Sequence, residues 1–220
     1  MSKLGKKQIR FVYEYNPLLN EPIKYNQTIY LPTKDSQTGN NSQLNNLVQS
    51  LVFEGPKGQQ SIIIPNILET KITEKIIKES KELNKQILII EVNINSNFEN
   101  STKMIQAQKS WGTLWTLINQ MLTGVSIGFK SYIKLTGIGY KAQIESQNLL
   151  LNIGFSHPVS IDIPKNIHID PKNIQNTSQG ALIEVTSNSL SLLNNFVFLI
   201  QKIKPAKKSF KGSGISVIKV

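Results

Sequence analysis

The sequence predicts an α+β protein of two tandem, similar domains, each a small antiparallel β-sheet covered by a helix, with an N-terminal extension. Three observations carry this expectation. Strand-like runs lead into an apolar helix that ends near Gly124, and the same succession returns before a second apolar helix reaching about Ile203. Gly124 and Gly128 punctuate the passage between the halves. The chain has 220 residues and 39% hydrophobic content, enough to bury a core in each half. The expected limits are 1–22 for the extension, 23–124 for the first domain and 125–220 for the second.

Ser2 to Pro22 is basic and aromatic without a clear apolar period, and is expected to become ordered only against a partner. Tyr25 to Leu31 has strand composition, and Pro32 to Asn46, rich in Asn, Ser and Gly, reads as a surface loop. Leu51 to Glu54 and Gln60 to Ile64 are β-rich runs joined by Gly55-Pro56-Lys57-Gly58, which predicts a hairpin. Ile76, Ile77 and Leu83 among alternating Lys and Glu predict a short amphipathic helix over Thr73 to Asn84. Ile87 to Asn93 reads as a buried strand and Asn95 to Ser101 as polar linker. From Lys103 to Thr123, Met104, Ala107, Trp111, Leu114, Ile118 and Met121 recur at spacings of three and four, the clearest helical stripe in the chain.

Past Gly128 the pattern changes to alternation through Tyr132, Lys134, Gly137, Tyr140, Gln143, Leu149, Leu151 and Ile153, with a turn at Ser146-Gln147-Asn148. Ile161 to Pro164, Ile167 to Ile169 and Ala181 to Val185 are further short strands. Ser187 or Asn188 is expected to cap the second helix, and the chain to end in a lysine-rich loop.

Lys plus Arg number 25 against 14 acids, a net charge of +11 with a pI near 9.7. Such an excess points to a polyanionic partner, nucleic acid or an anionic membrane surface. It is uneven: no acid follows Glu184, while Lys202, Lys204, Lys207, Lys208, Lys211 and Lys219 do. Peripheral membrane binding is disfavoured, because the predicted helices pack on sheets and carry few basic residues. No apolar run approaches the roughly 20 residues that span a bilayer, and no secretory signal is read at the start. The absence of cysteine excludes disulfides, thiolate metal sites and thiol nucleophiles. His157 and His168, the only histidines, lack spaced acidic or histidine partners, so no metal, cofactor or catalytic constellation is expected, and the chain is not expected to be an enzyme. Arg10 is the only arginine, and abundant Lys, Ile and Asn suit an A/T-rich organellar or bacterial genome. Met1 without an Arg-rich transit peptide points to synthesis inside the compartment of use.

Two segments invite chemistry. Gly137-Ile138-Gly139-Tyr140-Lys141-Ala142 formally matches a dinucleotide-binding turn, with Asp162 about 20 residues on, where an acidic ribose ligand would stand. The helix that should follow is replaced by strand pattern, so a glycine-marked bulge is the competing reading and a nicotinamide-dependent oxidoreductase the functional alternative. Lys207-Lys208-Ser209-Phe210-Lys211-Gly212-Ser213-Gly214 combines ammonium groups, hydroxyls, an aromatic face and glycines that expose amides, which suits a phosphate backbone better than a solvated tail.

Three runs in order, Gly137 to Ala142, Gly154-Phe155-Ser156-His157-Pro158-Val159 and Phe210 to Ile215, resemble the C-terminal domain of the L-six family of large-subunit ribosomal proteins. The Glu54 to Gly58 turn resembles the hairpin of that family's first domain, and Trp111 to Phe129 its interdomain helix. The resemblance covers roughly Leu51 to Val220 and is strongest from Gly124 onward. It implies two tandem copies of a helix-covered sheet, large-subunit rRNA and neighbouring ribosomal proteins as partners, a place near the sarcin–ricin loop and stalk base, and transient proximity to translational GTPases. Lys141, Ser156, His157, Lys207, Lys208, Ser209, Phe210, Lys211, Gly212, Ser213 and Gly214 are then the expected rRNA-binding residues. Phe210 and Ser213 stand where the family usually has tyrosine and lysine, and Pro205 falls two positions early, which removes one phenolic hydrogen bond and one phosphate contact. Asn-rich loops and an insertion from Glu74 to Asn84 point to a mitochondrial ribosome, with a plastid or a bacterial cytoplasm as the alternative.

Overall fold

Two compact units divide at Ile127/Gly128 in the computed structural model, which describes residues 8–15, 21–30, 48–65, 68–78, 84–94, 101–206 and 213–219. The first contains β1 (Gln8–Tyr15), β2 (Lys24–Tyr30), β3 (Val48–Gly55), β4 (Gly58–Ile64), β5 (Leu68–Lys78), β6 (Asn84–Ile94) and α1 (Ser101–Ser126). Its strands form two antiparallel three-stranded sheets, in the orders β1-β6-β5 and β2-β3-β4. The helix lies against both. Ala107, Leu114, Ile118, Leu122 and Val125 are buried along it, the last four in a core shared with Leu51, Phe53, Leu88 and Ile90. From Ala107 onward the stripe read from the sequence is thus the packing face, and Trp111 anchors it by donating from Nε1 to the Val92 carbonyl at 2.9 Å.

Two expectations for this unit are corrected. Gln8–Tyr15 is a strand of the unit's own sheet, whereas an extension ordering only against a partner was expected. Ile9, Tyr13 and Tyr15 are buried, with Phe11 half-buried between them. That period of two is local, but its partner strand lies more than sixty residues away, with Gln8 opposite Glu91. Thr73 to Asn84 is not an amphipathic helix: Leu68–Lys78 is one strand, paired in register with β6 as far as Lys78 opposite Asn84. Thr70, Ile72, Thr73, Ile76 and Ile77 are β-branched and lose side-chain freedom in a helix, and an eleven-residue partner satisfies the backbone of β5 instead. Residues 79–83 of that segment, the Pro32 to Asn46 loop and most of the Asn95 to Ser101 linker fall outside the described residues.

The hairpin expected at Gly55 to Gly58 is present, with Gly55 opposite Gly58. Lys57 donates its backbone N–H to the Val125 carbonyl at 3.0 Å, satisfying one of the orphan carbonyls at the helix C-terminus. A Cβ on Gly55 would stand 2.5 Å from Val125 Cγ1, so the approach of turn to helix requires glycine.

The second unit contains β7 (Phe129–Thr136), β8 (Lys141–Glu145), β9 (Asn148–Asn152), β10 (Val159–Asp162), β11 (Ile167–His168), a 3-10 turn (Pro171–Asn173), β12 (Ile174–Thr177), β13 (Gly180–Ser187), α2 (Leu190–Ile203) and β14 (Gly214–Lys219). One sheet runs β10-β9-β8, and the other β11-β13-β7-β14 with β12 also on β13. The fold is mixed α+β, mostly antiparallel, with two similar units each carrying one helix. Each unit has two sheets where one was expected. Leu193, Phe196, Val197 and Ile200 of α2 join Ile133, Leu135, Ile183, Val185 and Ile215 in one core with Leu149 and Leu151.

Three local readings differ here. The N-cap of α2 is Ser189 rather than Ser187 or Asn188, and it makes no side-chain cap. Ser187 Oγ instead accepts from the Ser189 amide at 3.1 Å and donates to the Asn166 carbonyl at 2.8 Å. The chain does not end in a loop: β14 pairs with β7, from Gly214 opposite Thr136 to Lys219 opposite Ser131. Finally, Gly137 to Tyr140 is no bulge within one sheet but a turn that carries the chain from β7 in one sheet to β8 in the other.

Candidate nucleic-acid interface

The Gly137–Tyr140 turn leads directly into a strand, so no helix N-terminus faces it. The dipole and free amides that a dinucleotide turn offers a pyrophosphate are missing. The turn instead serves packing. A Cβ on Gly137 would lie 2.7 Å from Tyr140 Cζ, because the buried Tyr140 ring folds back over that glycine. Gly139 adopts φ +79 with open space around it, and Ile138 at the tip is 93% exposed.

The second run, Gly154 to Pro158, leaves β9 as an exposed segment. Its glycine has φ +76, and a Cβ there would meet Tyr140 Cε1 at 3.3 Å and Lys204 Nζ at 3.5 Å. Ser156 and His157 are exposed, and Phe155 is 48% exposed. Lys141 is exposed at the first position of β8, opposite Asn152 and so across the ladder from the root of this segment. Asn176 holds β8 from the other side: its Oδ1 accepts from the Ala142 amide, and its Nδ2 donates to the Ala142 carbonyl, each at 3.0 Å.

Lys204, just past the end of α2, joins these runs. Its ammonium donates to the Ile153 carbonyl at 2.6 Å and lies 5.0 Å from the Tyr140 ring centroid and 5.1 Å from that of Phe155. Its own carbonyl accepts from the Ile215 amide at 2.8 Å, and Ala206 donates to the Ile215 carbonyl at 3.3 Å. Gly214 is buried against this strip, where a Cβ would lie 2.5 Å from Ala206 Cα. Two of the sequence signatures and the end of the third are therefore brought to one place. Ser213 is half-buried beside it. Lys207, Lys208, Ser209, Phe210, Lys211 and Gly212 lie outside the described residues.

Sequence reading missed Lys204, Tyr140 and Phe155 as parts of this arrangement. The two aromatics stood inside quoted signatures, but which cation would reach them depended on how α2 crosses the sheet. Eleven lysines face four acids in Gly128–Val220, and one of those acids is already engaged. Glu184 pairs with Lys130 at 3.0 Å, a hydrogen bond that together with their charges holds the Lys130 ammonium above the usual lysine range. Among the described residues no group of three or more His, Asp or Glu could hold a metal ion, and no helix is long and apolar enough to cross a membrane.

Residues 136–216 match the family model of Ribosomal protein L6, the stretch from the Gly137 turn into β14. The chain is 34% identical over 133 residues to large ribosomal subunit protein uL6c of Guillardia theta, a match covering 57% of this chain and 70% of that protein. It is 31% identical over 165 residues to uL6c of Cyanophora paradoxa, covering 72% of this chain and 88% of the relative. With uL6 of Thermosipho africanus (strain TCF52B) it shares 33% identity over 123 residues, 50% of this chain and 67% of that one. Similarity that spans most of these relatives, with two of the family's motifs and the end of a third meeting at Lys204 in the second unit, places the chain in the ribosomal protein L6 family.

Proposed function

We propose that this chain is a structural, non-enzymatic component of the large ribosomal subunit whose second unit, expected over 125–220, binds large-subunit rRNA near the stalk base and sarcin–ricin loop. What supports the reading most is that two of the family signatures and the end of the third meet at Lys204, in a half of the chain where lysines outnumber acids eleven to four. Lys141, Ser156 and His157 are exposed around it, and Lys207, Lys208, Ser209, Phe210, Lys211, Gly212, Ser213 and Gly214 complete the proposed interface. Lysines neutralise phosphates as point charges and carry no base code, so specificity comes from RNA shape. The oxidoreductase alternative is withdrawn: the turn lacks its helix, and the relatives are ribosomal proteins.

The first unit carries Glu54, Glu69, Glu74, Glu91 and further acids, which dilute its positive charge. Its proposed partners are neighbouring ribosomal proteins, with translational GTPases passing close by. The Asn-rich segments suit a mitochondrial ribosome as the proposed home, while the uL6c and bacterial relatives favour the plastid or bacterial alternative. The test is equilibrium binding of the full chain to a large-subunit rRNA fragment spanning the sarcin–ricin and stalk-base region, titrated across salt. Saturable binding that falls log-linearly with salt is expected. Binding no tighter than to an unrelated RNA of equal length would overturn the assignment.

A further inference from the structure

We infer that Lys204 is a positioning residue that locks the Gly154–Pro158 segment onto the Gly137–Tyr140 turn, and that its charge is spent inside the protein rather than on a phosphate. The inference rests on the rRNA reading above. An ammonium group has three donor hydrogens. One is committed to the Ile153 carbonyl at 2.6 Å, a short charge-assisted bond. The faces of Tyr140 and Phe155, with centroids 5.0 and 5.1 Å away, occupy two further directions around the cation. Lys204 is half-buried, so a phosphate approaching its open side would compete with these partners for the ammonium, and the Ile153 carbonyl would lose its donor if the cation left.

The neighbouring residues are shaped to keep the cation there. Gly154 combines φ +76 with a missing Cβ that would crowd Tyr140 Cε1 at 3.3 Å, with Lys204 Nζ at ordinary contact distance beside it, 3.5 Å. The Lys204 carbonyl is held by the Ile215 amide, so the side chain is planted on a backbone already tied to β14. Lys204 therefore sets the conformation from which exposed Phe155, Ser156 and His157 meet a partner. It does this from within a cluster of six lysines that composition alone would treat as equivalent.

Full-length Lys204→Arg and Lys204→Met, with Lys207→Ala as a phosphate-contact control, would be titrated with the rRNA fragment across salt, and amide exchange followed over residues 153–157. The planar guanidinium keeps the charge but cannot place one compact donor between two rings and a carbonyl. Both Lys204 variants should lose about tenfold in affinity with the salt slope unchanged, and both should exchange faster over residues 153–157. The control should instead lower the slope by about 1 with exchange unaltered. Should Lys204→Met fail to fold, Lys204→Arg decides alone. Arg binding as well as lysine, or a Lys204→Met slope reduced by about 1, would overturn the inference and make Lys204 a phosphate ligand. Failure of the unaltered chain to bind the fragment would overturn the rRNA reading itself, an outcome distinct from either.

Discussion

Gln86 and Ile23 exchange two hydrogen bonds across 63 residues of chain: the Ile23 amide donates to Gln86 Oε1, and Gln86 Nε2 donates to the Ile23 carbonyl, both at 2.8 Å. The glutamine side chain is fully buried and acts as a strand edge for a segment that has none. A further 2.7 Å bond from Nε2 to Glu74 Oε1 uses the second amide hydrogen. Gln86→Leu leaves both backbone groups of Ile23 without partners, at about 1–3 kcal/mol each. A loss of roughly 2–5 kcal/mol in urea-induced unfolding of the first unit is expected. Gln86→Glu should cost at least as much, because a carboxylate cannot donate to the Ile23 carbonyl and repels Glu74. A change within experimental error for Gln86→Leu would show the pairing to be dispensable.

Two glycines of the second unit separate strain from collision. Gly139 has φ +79 with nothing within 4 Å of where a Cβ would stand, so Gly139→Ala carries only the left-handed penalty, about 1–2 kcal/mol. Gly180 has φ +145, and its Cβ would fall 1.9 Å from the Leu135 carbonyl oxygen, an immobile backbone atom. Gly180→Ala should therefore open the β13–β7 ladder at Thr136 and destabilise the unit by more than Gly139→Ala. Thermal unfolding of the two variants side by side checks the order, and equal effects would refute it.

Asn176 bridges the two sheets of the second unit by pairing with both backbone groups of Ala142. Asn176→Asp keeps an acceptor for the amide but loses the donor to the carbonyl, so it should cost about 1–2 kcal/mol. The partial rescue should disappear in Asn176→Ala, which loses both bonds. Amide exchange at Ala142 reports the difference directly: protection should fall in the order Asn, Asp, Ala.

Replacing Lys207, Lys208 and Lys211 together with alanine should remove about three phosphate contacts and lower the salt slope of rRNA binding by roughly 2 to 3 units. The melting temperature should stay within a degree or two of the unaltered chain, since stabilising core groups are untouched. Unchanged affinity and slope would make this segment a solvated tail and remove it from the interface.

Much of this protein could be read from local pattern. The stripe through Ala107, Leu114 and Ile118 announced α1, the Gly55-Pro56-Lys57-Gly58 turn announced the first hairpin, and alternation from Tyr132 to Ile153 announced β7 to β9. These signals are local because helix and hairpin satisfy their backbone within a few residues of themselves. The charge gradient toward the C-terminus and the three glycine-bearing signatures were equally legible, since they are composition and spacing.

What only the tertiary structure decided depends on partners distant in sequence. Gln8–Tyr15 needed β6 to become a strand, Leu68–Lys78 needed the same β6 to be other than a helix, and Gly214–Lys219 needed β7. A strand leaves its hydrogen bonds to be completed by whichever chain segment lies beside it, so its own residues set a preference and the neighbour settles it. The site follows the same rule. Nothing in the sequence distinguishes Lys204 from the lysines around it. Only the crossing of α2, which delivers its ammonium to the Ile153 carbonyl beside Tyr140 and Phe155, gives one member of a basic cluster partners within the protein.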